Sequence, residues 1–201
     1  MKPVPPSDRR RLLAPLLAGT VGLMLAACSH SPPIHYYTLS VPGADFTPAA
    51  SDRGPSLVVG PVSLPAEVDR QQMVRVVDGV RLEVATEHRW AGPLKAEIGR
   101  RVAGEIARLR GLQRVVAWPQ NTYADPDLTL PVDIQRLDTI GFDSVRMEAV
   151  WSLRRNQREL IGGRVAIAEK LDGEDFAAVA RAHARLVDAL AREIAGRMPG
   201  S

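Results

Sequence analysis

The chain of 201 residues contains 26 Lys and Arg against 23 Asp and Glu, a formal net charge of +3, and a single cysteine. Four of the bases and one of the acids fall within residues 1–27, so residues 28–201 carry 22 of each and no net charge. This balance leaves no electrostatic footprint of a nucleic-acid-binding domain. One cysteine excludes an intrachain disulfide.

The first residues have the layout of an export signal. Lys2 and the arginines at 9–11 supply positive charge, and residues 12–27 are uncharged and dominated by Leu, Ala, Val, Met and Gly. That apolar stretch is short for a membrane span, which needs ~20 residues. Leu25-Ala26-Ala27 then leads directly into Cys28. This resembles a lipobox, in which the cysteine thiol is acylated and the residue becomes the first of the mature protein.

Two other interpretations of this stretch stay open, an ordinary signal peptide followed by an unrelated cysteine and an N-terminal anchor helix. The lipobox interpretation divides the chain into a signal peptide at 1–27, a lipidated tether at 28–34 and a single domain at 35–201. Ser29 follows the cysteine where an aspartate would resemble an inner-membrane retention signal. The sequence therefore favours the outer membrane.

The first part of the domain predicts short strands and a hairpin. Residues 35–41 are aromatic and β-branched and predict a strand, and residues 57–62 predict a second one. The prolines and glycines of residues 42–56 predict a loop between them. Asp78-Gly79 separates two apolar runs, 73–77 and 80–84, and is a strong hairpin-turn signal.

Residues 94–109 predict an amphipathic helix. Its apolar positions recur every three or four residues and form one face; they are Leu94, Ile98, Val102, Ile106 and Leu109. Gly111 is predicted to end the helix as a C-cap. The opposite face is predicted to be solvated because it is charged; its residues are Lys95, Glu97, Arg100, Arg101, Glu105, Arg108 and Arg110.

The second half predicts more regular strands and a closing helix. After a short strand at 115–118, the segments 128–135, 145–153 and 161–167 predict an antiparallel meander with one face on a core. Pro131 favours an edge or a bulge. The final helix begins near residues 172–175, and its apolar stripe is Phe176, Val179, Ala180, His183, Val187, Leu190 and Ile194. Two helices and about seven strands predict an α/β sandwich with a mixed, largely antiparallel sheet.

No catalytic or metal-binding constellation is recognisable. His30 and His35 are predicted in or beside the tether, His88 in a turn, and His183 on the apolar stripe as a hydrogen-bonded core residue. None of these spacings suits a metal site. The sequence also lacks a nucleophile elbow and a phosphate-binding glycine loop. It therefore predicts a protein that is not an enzyme and has no cofactor.

Four groups of residues carry a family resemblance. They are Tyr36-Tyr37-Thr38-Leu39 after the cysteine; Gly60-Pro61-Val62 with Leu64-Pro65, Val68-Asp69-Arg70 and Met73-Val74; Arg89-Trp90-Ala91-Gly92-Pro93-Leu94 opening a helix; and the closing helix with Ala182-His183 and Leu190-Ala191-Arg192-Glu193-Ile194-Ala195. In this order they resemble the ABC-type transport auxiliary lipoprotein family, the PqiC-like lipoproteins. The resemblance spans essentially the whole mature chain. It departs at Gly92, where the family more often has an acidic residue.

The resemblance implies a fold similar to the anticodon-binding-domain-like and TolB N-terminal type. It implies a non-enzymatic outer-membrane lipoprotein that faces the periplasm. Its partners would be an MCE-domain protein and an inner-membrane permease and ATPase, which together move phospholipids or other hydrophobic molecules and maintain the envelope. Some relatives resemble ring-forming homo-oligomers that dock onto the end of an MCE tube.

Tyr36, Tyr37 and Trp90 are candidates for a partner-facing or lipid-facing surface, because aromatic side chains anchor interfaces. The alternative is that all three pack in the core. Two other functions stay open, an assembly lipoprotein that chaperones an outer-membrane component and a stand-alone lipid-binding carrier. An internal apolar cavity of several hundred Å³ would favour the carrier, and an exposed apolar rim on a solid core would favour docking.

Overall fold

The computed structural model describes residues 32–40 and 54–199. The predicted signal peptide, Cys28, His30 and most of the predicted loop at 42–56 lie outside the described residues. Eight strands and two helices are described: β1 (His35–Tyr37), β2 (Leu57–Ser63), β3 (Gln72–Val77), β4 (Arg81–Trp90), α1 (Leu94–Arg110), β5 (Val115–Ala117), β6 (Leu128–Ile140), β7 (Ser144–Arg155), β8 (Arg158–Lys170) and α2 (Phe176–Arg197).

The strands form one mixed sheet that curls into a half-barrel. Its order is β1-β4-β3-β6-β2-β5, and β7 and β8 extend it from the other edge of β6. The long strands β6, β7 and β8 pair antiparallel, whereas the parallel pairs of β1 with β4 and of β2 with β5 are short. The predicted α/β class with a mixed, largely antiparallel sheet and two helices is confirmed.

The predicted antiparallel meander is confirmed, and buried residues alternate with outward ones along β6 and β7. The inward positions of β6 and β7 are all buried: Leu128, Leu130, Val132, Ile134, Val145, Met147, Ala149, Trp151 and Leu153. Pro131 lies at a bulge, as its missing N–H requires. The pairing of β2 with β6 jumps there from Val59–Leu130 to Val62–Val132.

The hairpin of β3 and β4 turns at Asp78-Gly79, where both residues have positive φ of 52° and 77°. This prediction is confirmed. The prediction that His88 lies in a turn is wrong, because β4 continues to Trp90. The strand pair is irregular between Val84 and Arg89, so the apolar alternation that marks a strand in the sequence is broken there.

Both helices pack on the sheet and against each other, α1 on β2 and β5 and α2 on β7 and β8. Four of the five predicted apolar positions of α1 are buried, but Leu109 in its last turn is 38% exposed. Sequence spacing locates a helix face but not how far neighbouring elements extend along it. Gly111 ends α1 in the left-handed conformation, as predicted, and Asp175 caps α2 by accepting from Ala178 N.

Candidate functional site

The first described strand, β1, directly follows the predicted tether. This strand lies parallel to β4, in register His35–His88, Tyr36–Arg89 and Tyr37–Trp90. Ala91 N donates to Tyr37 O at 2.7 Å, which continues the pairing beyond the strand end. His35 is therefore part of the sheet, where the strand predicted from residue 35 begins, directly beside the predicted tether at 28–34.

The three aromatic candidates separate in the structure. Tyr36 is 60% exposed, Tyr37 is half-buried and Trp90 is only 3% exposed. Trp90 packs edge-on against His183, with ring centroids 5.4 Å apart. Trp90 thus occupies the core, as in the alternative interpretation, and Tyr36 is the candidate that offers a surface.

Tyr37 belongs to a stack of rings between β1, β4 and the start of α2. Its hydroxyl lies 2.9 Å from His88 Nδ1. The His88 ring stacks on His35 at 5.3 Å and on Phe176 at 4.0 Å between centroids. Burial in this stack, together with the electrostatic effect of the neighbouring His35, lowers the pKa of His88. A neutral His88 ring at neutral pH suits a packing role.

Among residues 32–40 and 54–199, no three His, Cys, Asp or Glu side chains are grouped so that they could hold a metal ion. On the other side of the ring stack, the guanidinium of Arg75 lies 4.0 Å from the Phe142 ring centroid and pairs with Glu83 at 2.5 Å. These contacts join β3 to β4 and to Phe142 in the turn between β6 and β7.

Glu97 binds the segment that follows β1. Thr38 Oγ1 donates to its Oε2 at 2.8 Å, and Arg100 donates to its Oε1 at 2.5 Å. Burial alone would raise the pKa of this carboxyl, but the hydrogen bonds from Thr38 and Arg100 outweigh it and the pKa is lowered. The prediction that Glu97 lies on a solvated face is wrong, since the residue is 6% exposed.

Arg101 makes a second attachment to the same segment. Its guanidinium donates to Leu39 O and, through two nitrogens, to both carboxylate oxygens of Asp188 at 2.7 and 2.8 Å. The residue therefore links α1, α2 and the chain after β1, although it too was predicted on a solvated face. Helical periodicity could not reveal these contacts because their partners are distant in sequence.

One face of the β3–β4 hairpin is apolar, and neither of the two described helices packs on it. Val74 pairs with Val84 and Val76 with Leu82, and paired residues share a face of the sheet. Leu82 is 48% and Val84 39% exposed. The intervening pair, Arg75 and Glu83, lies on the opposite face with Phe142. The apolar face of the hairpin thus consists of Val74, Val76, Leu82 and Val84.

A groove of about 370 Å³ is lined by residues of β2, β6, β7 and β8. It is open to solvent, and its lining mixes apolar residues such as Pro61 and Val150 with the charged Asp133, Arg154 and Glu159. A lipid-binding carrier would instead need an enclosed apolar cavity.

None of the helices in the described segments is both long enough and apolar enough to cross a membrane.

One family model matches the sequence of this chain, and solved structures share its fold. A family model described as "ABC-type transport auxiliary lipoprotein component" matches residues 37–195. A crystal structure of an uncharacterized protein is 17% identical, with 84% of this chain and 100% of that chain covered at a TM-score of 0.67. The crystal structure of protein XCC0632 from Xanthomonas campestris is 19% identical, with 82% and 93% covered at a TM-score of 0.62. No curated protein matches significantly.

Proposed function

Because the chain belongs to the ABC-type transport auxiliary lipoprotein family, we propose that it is a non-enzymatic docking subunit anchored by acylated Cys28. The anchor lies in the outer membrane, and the domain faces the periplasm. There it joins an MCE-domain protein, whose inner-membrane permease and ATPase drive lipid transport between the membranes. The family match over residues 37–195 is the observation that carries this proposal.

The attachment of the domain supports an anchoring role. Cys28 precedes β1 by seven residues, and an extended segment of that length spans at most about 25 Å. Glu97 and Arg101 fasten the chain just after β1 to the helices. Acylation by two or more chains would hold such a protein durably, since one chain alone binds a membrane only marginally.

The test of the anchor is metabolic labelling with a palmitate analogue, followed by membrane fractionation. We expect wild-type protein to carry label and to stay in the outer membrane. Cys28→Ala removes the thiol, so we expect this variant to lose both label and membrane attachment. A labelled Cys28→Ala protein, or an unlabelled wild type, would contradict the anchor.

The test of the partners is affinity purification of the detergent-extracted lipoprotein, followed by mass spectrometry. We expect an MCE-domain protein together with its permease and ATPase. Native mass spectrometry of the same sample measures whether the chain forms the homo-oligomeric ring that we propose from the resemblance. Recovery of β-barrel assembly proteins without an MCE-domain protein would refute the transport role and favour the assembly alternative.

A further inference from the structure

The exposed apolar residues of the domain are concentrated beside the tether. Eight large apolar side chains are exposed among the described residues, and five of them lie at β1, at β4 or at the turn before β4. They are Ile34 (43%), Tyr36 (60%), Val80 (89%), Leu82 (48%) and Val84 (39%). Together with the half-buried Val74 and Val76 we call them the hairpin patch.

The strand register places these residues on one side of the sheet. Tyr36 pairs with Arg89, which pairs in turn with Gln72 of β3. Gln72 and Val74 are two residues apart on β3, so they point to the same face about 7 Å from each other. Tyr36, Arg89 and Gln72 form one row of residues across the three strands, and Val74 and Val84 form the next row on the same face. The patch continues from there to the turn at Val80.

The length of the tether identifies what covers this patch. Ile34 follows Cys28 by six residues, a segment that spans at most about 20 Å when extended. An acylated Cys28 thus holds Ile34, at the β1 end of the patch, within that distance of the bilayer, and the patch runs from there along β4 to the turn at Val80.

The composition of the patch suits a bilayer surface. Tyrosine is enriched where one end of the side chain is apolar and the other is wet, as in membrane interfaces. Arg89 shares the row of Tyr36 and forms no ion pair with any described residue. Its cation is therefore available to an anionic headgroup.

We propose that the hairpin patch rests on the membrane that holds the anchor, with Tyr36, Leu82 and Val84 inserted among the lipid headgroups. This inference rests on the proposed acylation of Cys28. It adds a second attachment, made by the folded domain itself, which fixes the orientation of the domain above the bilayer.

The test uses the full acylated protein and one introduced cysteine. Acylation blocks Cys28, so in Leu82→Cys the new thiol is the one available to an NBD maleimide dye. Leu160→Cys is the matched control, because Leu160 is 46% exposed on β8 and outside the patch. Each protein is reconstituted in phosphatidylethanolamine–phosphatidylglycerol vesicles that contain nitroxide-labelled lipid.

We expect nitroxide to quench the dye at position 82 at least about threefold more than at position 160, since interfacial groups lie within 5–10 Å of the headgroup boundary. Equal quenching at the two positions would overturn the proposal. Weak quenching at position 82 in vesicles, combined with loss of iodide access only in the purified transport complex, would show that a protein subunit covers the patch. That result would overturn the proposal as well.

Labelling stoichiometry separates this test from that of the proposed function. One dye per chain means that Cys28 is acylated, so the quenching result then concerns the patch alone. Two dyes per chain mean that Cys28 is free, which refutes the anchor itself. Circular dichroism and the thermal midpoint of each variant verify that the sheet has formed.

Discussion

His183 is a buried imidazole in α2 whose Nδ1 lies 2.9 Å from Val179 O. Burial lowers its pKa from 6.5 to about 4. Between pH 6.5 and about pH 4, His183 is therefore mostly protonated in the unfolded chain and mostly neutral in the folded chain. The contribution of this residue to stability is complete above pH 6.5 and is lost as the pH falls towards 4. We expect the free energy of unfolding to drop by about 2 kcal/mol between pH 7 and pH 5 from His183 alone.

The variant His183→Met isolates this contribution, because methionine fills a similar volume and does not titrate. We expect the drop in unfolding free energy between pH 7 and pH 5, measured by urea denaturation, to be smaller in the variant by that amount. The comparison with wild type is needed because the pKa of His88 is lowered in the same direction. Parallel pH profiles for the two proteins would contradict the assignment.

At the scale of single elements, Gly104 inside α1 and Gly111 at its C-cap have opposite roles. Gly111 has a φ of +63°, and a Cβ built there meets nothing within 4 Å. Gly111→Ala should therefore cost only the backbone strain, about 1 kcal/mol of the free energy of unfolding. Gly104, inside the same helix, also has open space at its Cβ. Gly104→Ala should stabilise the protein by about 0.5–1 kcal/mol, because glycine is a poor helix former.

Urea denaturation of both variants, with unchanged m-values, measures the two shifts in midpoint. A shift of the same sign in both would mean that the conformation of Gly111 is not what ends α1.

The elements also differ in how well the sequence predicts them. The alternation of β6 and β7 and the stripe of α2 are local patterns, and each follows directly from its period. The end of β4 was not predictable in this way. Its irregular pairing between Val84 and Arg89 interrupts the alternation, and its partner β1 is more than fifty residues away.

At the scale of the whole molecule, the hairpin of β3 and β4 is joined narrowly to the rest of the sheet. Val76 and Ile140 form the register pair between β3 and β6, and Gly141 N donates to Val76 O at 3.0 Å. In contrast, β7 is paired along its length on both edges. We expect native-state hydrogen exchange of β7 amides to require global unfolding, and amides near the turn at Asp78-Gly79 to exchange through smaller openings.

Mass spectrometry or NMR of exchanging amides at increasing denaturant concentration distinguishes the two segments. If both segments showed the same opening free energy, the hairpin would be part of the same cooperative unit as β7.

The candidate surface could be predicted from the sequence only in part. Aromatic content singled out Tyr36, Tyr37 and Trp90 together, but only Tyr36 is well exposed. Whether one of these side chains is exposed depends on which elements pack on its face of the strand. Alternation within a three-residue strand does not show which elements those are. The apolar side chains of the hairpin were predicted as strand residues. Their exposure depends on tertiary packing, because neither α1 nor α2 lies on that face.

The contacts of Thr38 and Leu39 determine how the domain would respond to mechanical force. A pull on the tether passes along β1 and reaches Thr38 and Leu39 next. Glu97 and Arg101 hold this segment, and both side chains belong to α1. Tension would therefore be transmitted to a helix and from Arg101 to Asp188 of the second helix. The three residue pairs of β1 with β4 would not have to resist it alone.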